Sequence, residues 1–227
     1  MAEDIREKIV ETATKSMLRL GIRAVSIDDL CKDLGISKKT FYVYFATKDE
    51  LVTAILHEQE LQMDKQVSQQ IEHAESVLDI IGQNIDIIVE RTTKLLQPLP
   101  FLHDLMKYSP RLFEAHKKVV FVATKQHIIR FLQRGIDEKV FFSHINIPLT
   151  AEFLARLHQY LLEQIAEQDD QLEELSAICC HGTGLIICGM LSETGKKLME
   201  ERIEADSREM IANALGTGLY NKTTDNK

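Results

Sequence analysis

Apolar residues recur at spacings of three and four through most of the chain, and runs alternating at every second position are scarce. That periodicity belongs to amphipathic helices and not to half-buried strands. Ile5, Ile9, Ala13, Met17 and Leu20 form one such stripe, so the spacing predicts a helix over about 5–20, stopped by Gly21. Ser26 followed by Asp28 and Asp29 reads as an N-cap and an acidic first turn, which predicts a short helix over 27–34. Gly35 supplies a tight turn, Ser37 caps a third helix over 38–45, and Thr47-Lys48-Asp49-Glu50 is a capping box for a fourth.

No Gly or Pro interrupts residues 47–81, so the fourth helix is long. A break is expected near 73–76, where Ser76 and Asp79 offer a fresh cap, and the next helix runs to about Gln97, with Pro98 and Pro100 ending it. A short helix follows over 101–108. Ser109-Pro110 opens another that reaches Gly135, with room for a break near 115–119. Residues 137–148 read as a connection. Thr150 opens a helix to Glu167, a further helix covers 171–191, and Gly195 precedes a last one ending near Leu215. The fold class is all-α, organised as 1–50, 51–216 and a flexible tail at 217–227.

Charge sharpens that division. The net charge is −8, yet residues 1–54 hold nine basic and nine acidic side chains, so the whole excess lies beyond them. Apolar content of 44% is ordinary for a globular chain. Cys31, Cys179, Cys180 and Cys188 form no C-x-x-C pair, and with no secretory signal they are expected as free thiols in the cytoplasm. Residues 175–191 are largely apolar but shorter than the ~20 residues of a membrane span, so a buried helix is expected and no membrane partner.

The chemistry gathers in "GISKKTFYVYFATKDEL", residues 35–51. On a wheel of about 100° per residue, Phe41 and Phe45 face inward with Ile36, while Lys39, Thr40 and Val43 lie opposite and Tyr42 and Tyr44 flank them. An apolar underside with a donor-rich outer face suits a DNA major groove. Cys31, Gly35 and Phe41 supply the small contact, the turn and the buried anchor of a helix-turn-helix. Lys48 sits where a helix N-terminus and an ammonium can share a phosphate.

The run "VSIDDLCKDLGISKKTFYVYFATKDEL", with Arg6, Ile9, Ala13 and Gly21 ahead of it, resembles the N-terminal domain of tetracycline-repressor-type (TetR) regulators over about residues 5–56. Two positions depart from the family pattern: Cys31 stands where Ala is common, and Tyr44 where His is frequent. The resemblance implies a three-helix DNA-binding domain, a larger regulatory domain, a homodimer, a palindromic double-stranded operator, and release of DNA when a small effector binds. It also implies that Ser26, Ser37, Tyr42, Tyr44 and Lys48 contact the DNA backbone, and that Lys38, Lys39, Thr40 and Val43 sit nearest the bases.

Beyond residue 56 the resemblance is mainly architectural, apart from "CGMLSETGKKLMEE", which is similar to the region joining the last two helices in some members. Leu154, Leu157, Leu161 and Ile165 form one stripe, and Cys180, Gly184 and Cys188 a second of small residues. They are candidates for a four-helix dimer interface, with packing inside one chain as the alternative. Phe101, Met106, Tyr108, Phe113, Phe121, His127, Phe131 and His158 are candidates to line a pocket for an apolar or amphipathic effector, although such residues at helical spacing also serve as core.

An enzyme is disfavoured. His57-Glu58 begins like a zinc-protease helix, but residue 61 is Leu. Neither a phosphate-binding glycine loop nor a nucleophile elbow is present, Cys179-Cys180-His181 points around a helix, and no metal spacing or cofactor motif is found. The rival to a DNA-binding regulator is a helical protein that binds ligands or partners without a role in transcription.

Overall fold

The computed structural model describes residues 2–81, 99–167 and 172–205. Its helices are α1 (Ala2–Leu20), α2 (Ile27–Leu34), α3 (Lys38–Tyr44), α4 (Lys48–His73), α5 (Leu99–Tyr108), α6 (Pro110–Asp137), α7 (Ile147–Glu167), α8 (Leu172–Met190) and α9 (Glu193–Ala205). Residues 77–81 are also helical. The described residues form no strand beyond one isolated antiparallel bridge between Phe141 and Leu191.

The chain divides into two units, Met1–Gln66 with Leu95–Val120, and Val67–Lys94 with Phe121–Lys227. In the first, α1 packs against α2 and α5, and α2 against α3. Ile9, Ala13, Met17, Leu30, Phe41, Leu51, Ile55 and Leu105 are buried there. Gly21 ends α1 at φ +89°, and its N–H donates to the Met17 carbonyl at 2.9 Å. A Cβ at that position would lie 2.7 Å from Asp104 Oδ2 and 3.2 Å from the Pro100 carbonyl, so both backbone conformation and close approach of α5 select glycine.

In the second unit, Ile71, Val77, Leu78, Ile81, Leu132, Val140, Phe141 and Met190 make the core. The break after α4 is stabilised by side chains. Arg134 donates to the carbonyls of Ile71 and Ala74, and Glu138 accepts from the Val77 N–H at 2.7 Å. Ser76 N–H donates to Asp79, and Ser76 Oγ accepts from Leu78 N–H, which is the fresh cap read from the sequence. The connections after α6 and after α8 are tied by Phe142 N–H to the Met190 carbonyl and Ser192 N–H to the Val140 carbonyl. Helix α7 packs on α8.

Several boundaries differ from the sequence expectation. Helix α6 is continuous through residues 115–119. Helix α7 starts at Ile147 because Asn146 caps it, its Oδ1 accepting from Leu149 N–H at 3.2 Å, and Pro148 sits in a first turn that needs no donor there. Pro100 stands in the first turn of α5 for the same reason. Gly195 lies inside α9, whose cap is Ser192. The expected course of the helix to Gln97, the end near Leu215 and the tail at 217–227 lie outside the described residues.

Candidate nucleic-acid interface

Local capping shapes the α2–turn–α3 segment. Ser26 Oγ accepts from Asp29 N–H at 3.1 Å, and Asp29 Oδ2 accepts in return from Ser26 N–H at 3.2 Å. These two bonds satisfy orphan donors at the start of α2. Gly35 closes α2 in the left-handed region at φ 64°, with Ile36 N–H reaching the Cys31 carbonyl at 3.0 Å. Ser37 caps α3, its Oγ accepting from Thr40 N–H at 3.0 Å and meeting Thr40 Oγ1 at 2.8 Å.

Seven residues are too few to hold a helix alone, so tertiary burial fixes α3. Phe41 is wholly buried and Phe45 nearly so, their rings 5.9 Å apart, and the Arg6 guanidinium lies 5.2 Å from the Phe45 ring centre. Burying a Phe of this kind contributes about 2–3 kcal/mol. The opposite face is open. Val43 is 74% exposed and Tyr42 50%. Lys38 and Lys39 are also exposed, and Thr40 and Tyr44 are half-buried. Packing among the described residues covers little of this valine at the centre of a polar face.

Lys38 and Lys48 differ in their partners. Lys38 Nζ lies 2.6 Å from Asp28 Oδ1, and that hydrogen bond, with the charge behind it, raises the Lys38 pKa. Lys48 at the head of α4 donates to the Val25 carbonyl at 2.5 Å, and partial burial lowers its pKa. Nearby, Arg23 N–H donates to Asp104 Oδ2 at 2.8 Å, and the Arg23 guanidinium sits 4.5 Å from the centre of the Tyr108 ring. Neither Asp28 nor Asp104 stood out in the sequence as part of this site. Asp28 was legible only as a first-turn acid, and nothing local couples residue 104 to residue 23. Cys31 is buried under α3, and burial, then the Asp28 charge, raises its thiol pKa.

Residues 9–55, the span that holds these elements, match the family model described as bacterial regulatory proteins, tetR family. That span is a TetR-type N-terminal domain. It is 24% identical over 165 residues to the uncharacterized HTH-type transcriptional regulator YvdT of Bacillus subtilis (strain 168), covering 71% of this chain and 80% of that one. A transcriptional regulator from Cytophaga hutchinsonii shares the fold at a TM-score of 0.64 and 19% identity, over 82% of this chain and 98% of that one. A TetR-family regulator from Agrobacterium tumefaciens does so at 0.61 and 14%, over 85% of this chain and all of that one. Residues 9–55 form a TetR-type helix-turn-helix DNA-binding domain, and the chain is a transcriptional regulator.

The candidate effector residues divide between the units. Phe101, Met106, Tyr108 and Phe113 belong to the first, where Phe101 and Phe113 are buried and Tyr108 carries Arg23 on its face. Phe121, His127, Phe131 and His158 belong to the second. There Phe131 packs against Phe141 at 5.4 Å, and the Arg156 guanidinium lies 5.6 Å from Phe121. His158 keeps open surface on α7 while the protein crowding its ring pushes its pKa below the ordinary histidine value.

Of the candidate dimer residues, Cys188 is exposed, and Leu154, Leu157 and Gly184 are half-buried. The side chains of Leu161 and Cys180 lie outside the described ones. The most exposed apolar positions fall beside them: Leu149, Phe153 and Tyr160 on α7, Ile178 and Leu185 on α8. An open groove of about 390 Å³ lined by Ile145, Leu149, Phe153, Ile186 and Met190 runs along this face. Among the described residues no helix is long and apolar enough to cross a membrane, and no cluster of three or more His, Cys, Asp or Glu is placed to hold a metal.

Proposed function

We propose that this chain is a TetR-family repressor that binds a palindromic duplex operator as a homodimer, in the cytoplasm, and releases it when a small molecule occupies its regulatory region. The observation that carries the DNA reading is the two-faced α3: Phe41 and Phe45 buried behind, Lys39, Tyr42 and Val43 open in front. In this reading Lys38, Lys39, Thr40 and Val43 approach base edges, while Ser26, Ser37, Tyr42, Tyr44 and Lys48 position the phosphates. Lys48 has three protons and gives one to Val25, which leaves two for a phosphate.

Dimerisation supplies two recognition helices about one turn of DNA apart, ~34 Å. The exposed apolar stripe on α7 and α8 supports a second copy as its cover, because monomers rarely expose contiguous apolar patches of this kind. Leu149, Phe153 and Tyr160 on α7 and Ile178 and Leu185 on α8 add exposed apolar surface beside the candidates Leu154, Leu157, Gly184 and Cys188. The effector is of apolar or amphipathic character. It weakens operator binding only as far as it prefers a conformation in which the two α3 helices no longer match the half-sites.

Selection of duplexes from a random pool tests this. A recovered palindrome, bound more tightly than a composition-matched duplex and present beside promoters the protein silences, is the expected result. Recovery of no common sequence would end the operator reading.

A further inference from the structure

Asp28 is out of place on a DNA-facing surface. It sits in the first turn of α2, is exposed, and has no capping duty, since Asp29 performs that. A carboxylate there repels phosphate and lowers affinity for every duplex. Yet its Oδ1 holds Lys38 Nζ at 2.6 Å across the α2–α3 angle, although both side chains have ample open surface. Lys38 is the first residue of α3, one position before Lys39, for which no ion-pair partner is found among the described residues. The basic pair on α3 is therefore divided: one ammonium free to follow any phosphate, the other tied to a fixed point.

We infer that Asp28 is a specificity-determining residue, which holds Lys38 in one orientation so that its remaining protons meet the acceptor edge of a base, guanine O6 and N7, and not the nearest phosphate. The inference rests on the DNA reading proposed above. Lysine has three donors, and one on Asp28 leaves two. Guanine offers two acceptors in the major groove, the pattern that lysine and arginine read most often. The same carboxylate discourages binding to duplexes that present no such edge, so it gains selectivity at the expense of affinity.

The test is equilibrium titration of the full-length protein against a pool-selected duplex and a scrambled duplex of equal composition, over a salt series. For Asp28→Asn the scrambled duplex is expected to bind several-fold more tightly. The salt slope should steepen by roughly one counterion unit as Lys38 turns to phosphate, and the ratio of selected to scrambled affinity should fall about tenfold. Asp28→Glu should keep most of that ratio. In a Lys38→Gln background, Asp28→Asn should still raise scrambled binding while leaving the ratio unchanged, because the ratio acts through Lys38. Helicity and thermal unfolding of each variant establish that α2 is intact. An unaltered ratio and slope in Asp28→Asn, or an equal loss for both duplexes, overturns the inference while the DNA reading stands. A wild-type protein that does not distinguish the two duplexes overturns both.

Discussion

Lys38 and Lys48, ten residues apart, end in different environments. Lys38 stays at the surface beside Asp28, whereas Lys48 spends one proton inside, on the Val25 carbonyl that leads into α2. Lys48→Ala should therefore cost stability as well as affinity, about 1–2 kcal/mol for a charge-assisted hydrogen bond that is only partly buried. Binding to all duplexes should weaken alike. Thermal unfolding beside DNA titration checks both, and an unchanged Tm would remove the strut. Gly35 is constrained by conformation alone, because no atom lies within 4 Å of where its Cβ would be. Gly35→Ala should cost about 1 kcal/mol from left-handed strain, and Gly35→Asn clearly less; equal losses would implicate packing. Cys31 has a linked pH effect. Its folded pKa lies above the ordinary value of 9.0, so the stability it contributes is complete below that pH and is lost as pH rises through the folded pKa. Urea midpoints should fall on this alkaline side, and Cys31→Ala should flatten that fall. An identical alkaline slope in the variant would assign the loss to other groups.

At the scale of elements, the same distinction between near and far partners decides what the sequence could reveal. Ser26 with Asp29, Ser37 with Thr40 and Ser76 with Asp79 are three residues apart, so the starts of α2 and α3 and the break after α4 were legible. The bonds that fasten elements together join Lys48 to Val25, Arg23 to Asp104, and Arg134 to Ala74, across 23, 81 and 60 residues, and no local pattern announces them. The start of α7 was missed for a different reason. Pro148 reads as a breaker in a connection, and only the Asn146 cap shows that it lies in a first turn. Asp104 is the test of α5 as a support for the α1–α2 turn. Its side chain is 15% exposed and accepts the Arg23 N–H beside Gly21, so Asp104→Ala should lower stability by about 1–2 kcal/mol and loosen the head of α2. Hydrogen exchange should report the change as faster exchange at Arg23 and through α2. Protection unchanged at those amides would show that α5 does not hold the turn.

For the whole molecule, the proposed function needs two copies and one exposed helix face. Phe153→Asp combined with Leu185→Asp places charge on both exposed stripes of α7 and α8. The expected outcome is a folded monomer by light scattering at micromolar concentration, with operator affinity falling at least a hundredfold as the linkage between half-sites is lost. A dimer that survives the pair of substitutions would place the interface elsewhere. The central claim concerns α3, and Val43 is the residue on which it turns, being the most exposed apolar side chain of that face. A photo-cross-linking amino acid at position 43, irradiated in complex with the selected duplex, measures directly what this face touches. The account predicts cross-links to bases within each half-site, suppressed by unlabelled duplex. Cross-links to protein alone, with the duplex bound yet unmarked, would contradict it.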